Sequence, residues 1–302
     1  MIDTIAHIAL LVLLPPLLLG TIDKTKARFA GRVGAPLLQP YFDILKLARK
    51  GLVLSATTTW AFRMGPVITL VAVAAAGLLV PFGGSGAPIG FSGDLILFAY
   101  LFGLARFFTT TAALDTGSAF EGMGASREAA FSCLTEPALF CAFLVLARLS
   151  GSLSLGEMLP VPSGWSFSGA AAPLILISLG LVVILLAEAC RIPVDDPNTH
   201  LELTMIHEAM ILDHGGPLLG MILYSSSMKL FVLGAVLMSV IAPFHTGTAC
   251  LDWALFVGEM LALAVAIGAL ESLTARLKMR RVPYLLVSAI LFCGSGFVLL
   301  VR

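Results

Sequence analysis

Apolar runs of about twenty residues recur eight times along this chain, near 2–22, 61–82, 93–114, 127–149, 168–189, 218–242, 251–274 and 283–301. Each is long enough to cross roughly 30 Å of hydrocarbon as a helix. In lipid a backbone must satisfy its own hydrogen bonds, and uniformly apolar runs of this length do so as helices rather than as strands of alternating polarity. The expected fold class is therefore all-α: a polytopic membrane protein of about eight transmembrane helices, forming one transmembrane domain over residues 1–302. Composition agrees. Of 302 residues 59% are hydrophobic and only 12% charged, against about 25% charged in soluble domains.

The first run opens with Ile2 and Asp3, lacks a basic leading segment and a small-residue cleavage site, and reads as a retained helix rather than a signal peptide. Basic residues set the orientation. Lys24, Lys26, Arg28, Arg32, Lys46, Arg49 and Lys50 fill the first loop, Arg127 and Arg191 mark the third and fifth, and Arg276, Lys278, Arg280 and Arg281 fill the seventh. Stretches 83–92, 150–167 and 243–250 hold no Lys or Arg. Both termini are thus expected outside a cell inner membrane, with inside loops at 23–60, 115–127, 190–217 and 275–282. Acidic and basic residues balance at 18 each, which argues against nucleic acid as a partner and leaves the lipid bilayer and other chains.

Within the first inside loop, Leu37, Leu38, Tyr41, Phe42, Leu45, Leu47 and Ala48 recur at near-helical spacing, while Asp43, Lys46, Arg49 and Lys50 supply polar positions. That pattern predicts one amphipathic helix at the membrane interface, entered through a turn at Gly34 and Pro36.

Chemistry concentrates where the fifth run meets its loop. Glu188, Arg191, Asp195, Asp196, Glu202, His207, Glu208, Asp213 and His214 follow one another directly after a spanning segment. Ionisable residues at membrane depth are costly and mark functional sites. Arg106, Glu136, Lys229, Glu259 and Glu271 lie within the runs themselves, so they should face the protein interior and find partners, as static pairs or as a proton or ion path. Histidines of the acidic loop suit proton exchange near neutral pH. No metal is expected: His207-Glu208 lacks a second histidine four residues on, and the five cysteines (Cys133, Cys141, Cys190, Cys250, Cys293) form no C-x-x-C pair. No phosphate loop, nucleophile elbow or triad is present, so the chain does not read as a self-sufficient enzyme.

These residues carry a family resemblance. The segment Arg32-Val33-Gly34-Ala35-Pro36-Leu37-Leu38-Gln39-Pro40, continuing through Asp43 and Lys46, resembles the signature after the first helix of the complex I subunit 1 family, also called H-type or ND1-like. Ala187-Glu188, Arg191, Pro193 and Asp195 resemble its A-E-x-x-R-x-P-F-D loop, Glu202-Leu203 stands where that family has a glutamate, and Glu136 stands at the glutamate of its S-Y-E. Departures at Asn198 and His200, the run Thr204–Gly216, and Glu271 through Pro283 look more like the formate hydrogenlyase subunit 4 or hydrogenase-4 component C branch of group 4 energy-converting nickel–iron (NiFe) hydrogenases.

That resemblance implies a subunit with no redox centre and no cofactor of its own, without activity alone. It would anchor hydrogenase large and small subunits and an iron–sulfur subunit, which hold the NiFe centre and iron–sulfur clusters, and connect them to antiporter-like membrane subunits. Glu136, Glu188, Asp195, Glu202, Glu208, Asp213, Lys229 and Glu259 would form the proton or ion coupling track. Arg32, Gln39, Asp43, Lys46, Arg127 and Arg191 would lie on the docking loops. Two rival readings remain at this stage: a quinone-channel subunit of complex I, and a stand-alone secondary transporter, against which the absence of an internal repeat counts.

Overall fold

The computed structural model describes residues 2–159, 171–195, 205–243 and 246–301. Among them the chain is helical without strands, in the order α1 (Ile2–Phe29), α2 (Gln39–Ala48), α3 (Trp60–Leu79), α4 (Asp94–Asp115), α5 (Ala119–Ser150), α6 (Leu155–Met158), α7 (Ala171–Glu188), α8 (His207–Met210), α9 (Gly216–Ile241), α10 (Ala249–Leu273) and α11 (Val282–Val301), with a 3₁₀ turn at Met279–Arg281. Eight of these are long and apolar enough to span a bilayer, and the protein is an all-α polytopic membrane protein. Glu202, Asn198, His200, His245 and Arg302 lie outside the described residues.

Helix α9 is the centre of the bundle. In its most apolar window 67% of residues are buried, against 22% for the segment ending in α11. Around it, α3 packs on α4, α11 on α5 and α7, and α1 on α9 and α10. Apolar burial drives little association between helices in lipid, so close packing and buried polar contacts must hold them. Asp115, at the end of α4, supplies one such contact: its carboxylate accepts from the backbone N–H of Thr59 (2.6 Å) and Phe62 (3.2 Å) and from the Thr59 hydroxyl (2.8 Å), capping α3.

The amphipathic segment folds as expected. In α2, Pro40, Tyr41, Ile44 and Leu47 are half-buried while Phe42, Asp43, Leu45 and Lys46 are exposed, and the helix packs against α1 and α9. A double proline in α1 fixes its place. Pro16 cannot donate to the carbonyl of Val12, four residues back. That oxygen instead accepts the Tyr224 hydroxyl of α9 at 2.7 Å, and the neighbouring Leu13 carbonyl accepts the Tyr41 hydroxyl of α2.

Two helices overrun the apolar windows. Helix α1 continues to Phe29 through Asp23, Lys24, Lys26 and Arg28, and α5 begins at Ala119, so the connection expected at 115–127 is reduced to 116–118. At 32 residues α5 is about 48 Å long and must project beyond the hydrocarbon. Gly122 and Gly124 both lie within the helix. Gly124 serves close approach. A Cβ there would lie 2.9 Å from the Ile206 carbonyl oxygen and 3.0 Å from the Ala209 Cβ, so only glycine lets the 205–210 segment lie against α5.

Candidate functional site: a buried ionic cluster

Arg106 is the hub. It sits nine residues before the end of α4, about 13 Å in from the face that carries the basic loops. Burial of an unpaired guanidinium at such depth costs about 2.5–3.5 kcal/mol or more, which forces partners inward. Three carboxylates answer it. Arg106 Nη1 pairs with Glu136 of α5, Nη2 pairs with Glu188 at the end of α7, and Nε lies 3.3 Å from Glu128 Oε1 of α5. Lys229 of α9 approaches Glu188 Oε2 at 3.6 Å, and the Thr135 hydroxyl donates to Glu188 Oε1 at 3.1 Å.

Local sequence explains this convergence. Glu121, Glu128 and Thr135 are spaced by seven and so share one face of α5, with Glu136 beside them. Helix α7 ends in a Schellman motif: Arg191 N–H donates to Leu186 O (2.8 Å), Cys190 N–H to Ala187 O (3.2 Å), and Cys190 takes the left-handed conformation at φ 51°. Such a cap is normally a glycine; here cysteine bears the strain, and Glu188 is left at the last helical position beside Arg106.

Charge count gives the cluster its chemical character. Two cations face three carboxylates, so one proton can be taken up or lost while the net charge stays between zero and minus one. Three cavities touch it, one of them a void of about 20 Å³ beside Glu128, Thr135 and Glu188. Another pocket of about 20 Å³, room for a single water, is lined by Glu128, Glu188, Lys229, Cys190 and His207. The third, of about 310 Å³, lies on the flank between α4 and α5 and reaches Arg106, Glu136 and Glu188 past Tyr100 and Phe140.

Other expected site residues fall elsewhere. Asp195 is buried: Oδ1 is paired with Arg276 at 2.8 Å, and Oδ2 accepts from Ile206 and His207 N–H at 3.1 and 3.0 Å. It therefore organises the loop. Glu208 is half-buried on α8, and Asp213 is exposed, its N–H donating to Glu121 Oε1 at 2.9 Å. Glu259 does not join the cluster. It lines a separate cavity of about 200 Å³ with Asp252, Ser239 and Phe256, towards the opposite face.

Among the expected docking residues, Arg32, Asp43 and Lys46 are exposed, and the half-buried Gln39 donates to Asp43 at 2.8 Å. Arg127 donates to Met205 O at 2.7 Å. Arg191 is not at the surface: it is buried 3.5 Å from Glu271 of α10, which also holds Lys26 of α1 at 2.8 Å. A second ionic cluster thus ties α1, α10 and the loop after α7.

Outside the spans, burial lowers His214 to about 4, as it stacks on Phe62, and lowers His207 against the opposing pull of Glu128 and Asp195. Burial pushes the Cys190 thiol well above its ordinary range. Among the described residues no three His, Cys, Asp or Glu side chains converge as a metal-ligand set.

A bundle of membrane-length helices enclosing an arginine with three carboxylates defines a polytopic membrane protein with a charged core. The family model described as NADH dehydrogenase matches residues 2–301, and the chain belongs to that family, of complex I subunit 1-like proteins. It is 30% identical over 291 residues to formate hydrogenlyase subunit 4 of Escherichia coli (strain K12), covering 94% of this chain and 92% of that one. To hydrogenase-4 component C of the same organism it is 31% identical over 245 residues, covering 80% and 76%. In fold it is similar to a chain of the membrane-bound sulfane sulfur reductase, an archaeal respiratory membrane complex, with a TM-score of 0.82 at 21% identity over 99% of this chain and 98% of that one.

Proposed function

We propose that this chain is the membrane-anchor and coupling subunit of a multi-subunit respiratory complex resembling a membrane-bound NiFe hydrogenase or formate hydrogenlyase, linking electron transfer in a peripheral arm to proton or sodium translocation. One observation carries the reading: a cluster with one carboxylate more than its cations, buried or half-buried except at Glu136, lies beneath the segments at 189–195 and 205–215. Similarity to subunits of formate hydrogenlyase and hydrogenase-4 supports the kind of complex.

In this reading the arm, with hydrogenase large and small subunits and an iron–sulfur subunit, docks on the basic face, which is cytoplasmic, and both termini lie outside. Arg32, Asp43 and Lys46 offer charges to such a polar interface. A change in the arm displaces the loop pinned by Asp195 and Arg276, and so alters the charge or hydration around Glu188. Protonation of Glu188 releases Lys229 and part of Arg106, and the altered balance passes through Glu136 to the flank between α4 and α5, where antiporter-like membrane subunits would lie. Glu202, Glu208 and Asp213 supply the loop end of this track, and Glu259 a release site at the far face.

Purification from native membranes tests the assembly: a NiFe subunit and antiporter-like chains should accompany this protein. In proteoliposomes of the complex, Glu188→Gln should lower ion translocation per electron at least tenfold while assembly persists. Purification as an active, monodisperse single chain would sink the reading.

A further inference from the structure

We propose that His207 is the proton-transfer group joining the loop at 205–215 to the buried carboxylates Glu128 and Glu188. This rests on the coupling role above and names a residue and a route that the role alone does not require.

The backbone around His207 is pinned from three sides. Its own N–H and that of Ile206 donate to Asp195, which is held by Arg276; Arg127 grips the Met205 carbonyl; and bare Gly124 lets the segment lie on α5. A ring so firmly placed has a defined target. It lines the 20 Å³ pocket together with Glu128 and Glu188, and its Nε2 is buried there without a hydrogen-bond partner. The residue as a whole is only half-buried, so it reaches from the loop surface to the pocket.

An unpaired buried nitrogen costs about 1–3 kcal/mol, and a phenylalanine or methionine would fill the same place without that penalty. Imidazole differs from those fillers in chemistry. One nitrogen accepts a proton while the other gives one up, so a proton passes with no lasting charge on the ring. A water in the pocket, within the volume available, completes the path to either carboxylate.

The neighbouring groups fit this role from every side. Glu128 of α5 and Glu188 of α7 are the acceptors, Asp195 fixes the backbone, and Arg106 of α4 and Lys229 of α9 hold the carboxylates in place beside the pocket. Cys190 lines the same pocket, but its thiol, pushed well above its ordinary range, stays protonated and does not compete. Of the two described histidines of the acidic loop, His207 lines this pocket and His214 stacks on Phe62 instead.

The experiment uses the whole complex in proteoliposomes and measures ion translocation per electron, beside electron transfer to a soluble dye. His207→Gln and His207→Asn should each lose at least tenfold in translocation while dye reduction stays within twofold of the parent. Imidazole added to the His207→Gly complex should restore translocation severalfold. Parent-like translocation in His207→Gln overturns the proposal, as does a loss that imidazole does not repair. Failure of all three variants to assemble also overturns it, since it would assign His207 a packing role. Glu188→Gln separates the two claims: if it is defective while His207→Gln is not, only the His207 route falls, and if both behave as the parent, the coupling role falls with it.

Discussion

Two ionic clusters lie in this protein, and they are built on opposite balances. Around Arg106, three carboxylates outnumber two cations and cavities adjoin on two sides. Around Glu271, one buried carboxylate is clasped by Lys26 and Arg191, with Asp23 one turn before Lys26 completing the charge. Surplus carboxylate next to water-sized space makes a cluster that can titrate. Around Glu271 two acids, Glu271 and Asp23, balance Lys26 and Arg191 with none left over, and the cluster acts as a staple between α1, α10 and the loop after α7.

Removing the central acid of each cluster gives the sharpest contrast. Glu188→Gln should cost at least tenfold in ion translocation, whereas Glu271→Gln should leave translocation per assembled complex within twofold and instead lower stability by about 3–5 kcal/mol, because two cations lose their partner. Thermal unfolding in detergent beside proteoliposome assays reads both, and a translocation defect in Glu271→Gln would erase the distinction. Glu136→Gln should fall between, a severalfold loss, because its side chain is 49% exposed while that of Glu188 is 7% exposed. A parent-like Glu136→Gln would remove it from the track.

Smaller effects probe what holds the loop over the first cluster. Gly124→Ala should destabilise by about 1–3 kcal/mol through overpacking against Ile206 and Ala209, read as a lowered unfolding temperature and easier proteolysis at 205–215. His214 has an ordinary value of 6.5 and is lowered to about 4, so the folded state resists its protonation. Its contribution is complete above about pH 6.5 and is lost as pH falls towards 4. His214→Phe, which keeps a ring against Phe62, should flatten the stability profile across that window, and an unchanged profile would show that other groups govern it.

Much of the fold was legible because the bilayer demands a fixed length of apolar chain, and α2 because its exposed and half-buried faces alternate at helical spacing. Helix ends were not legible. Lys24, Lys26 and Arg28 in α1, and Glu121, Arg127 and Glu128 in α5, close an apolar window without stopping a helix that runs on beyond the hydrocarbon.

The same blindness hid Glu128. Beside Arg127 it stands at the very edge of the 127–149 run, where a charge needs no buried partner, and only its spacing of seven from Glu121 and from Thr135 could have placed it on the face of Glu188. Arg106, Glu136, Glu188 and Lys229 stood out as charges within or beside apolar runs, but which of them meet depends on helix packing that no single run encodes. For that reason Glu259 and Arg191, equally conspicuous in sequence, belong to other places.

The double proline in α1 has one more consequence. The Val12 carbonyl freed by Pro16 and the Leu13 carbonyl beside it accept the tyrosine hydroxyls of α9 and α2. This stretch is therefore a joint shared among three helices, and α1 cannot shift there without letting go of both neighbours at once. Any push on the surface strap arrives at the central pillar already geared.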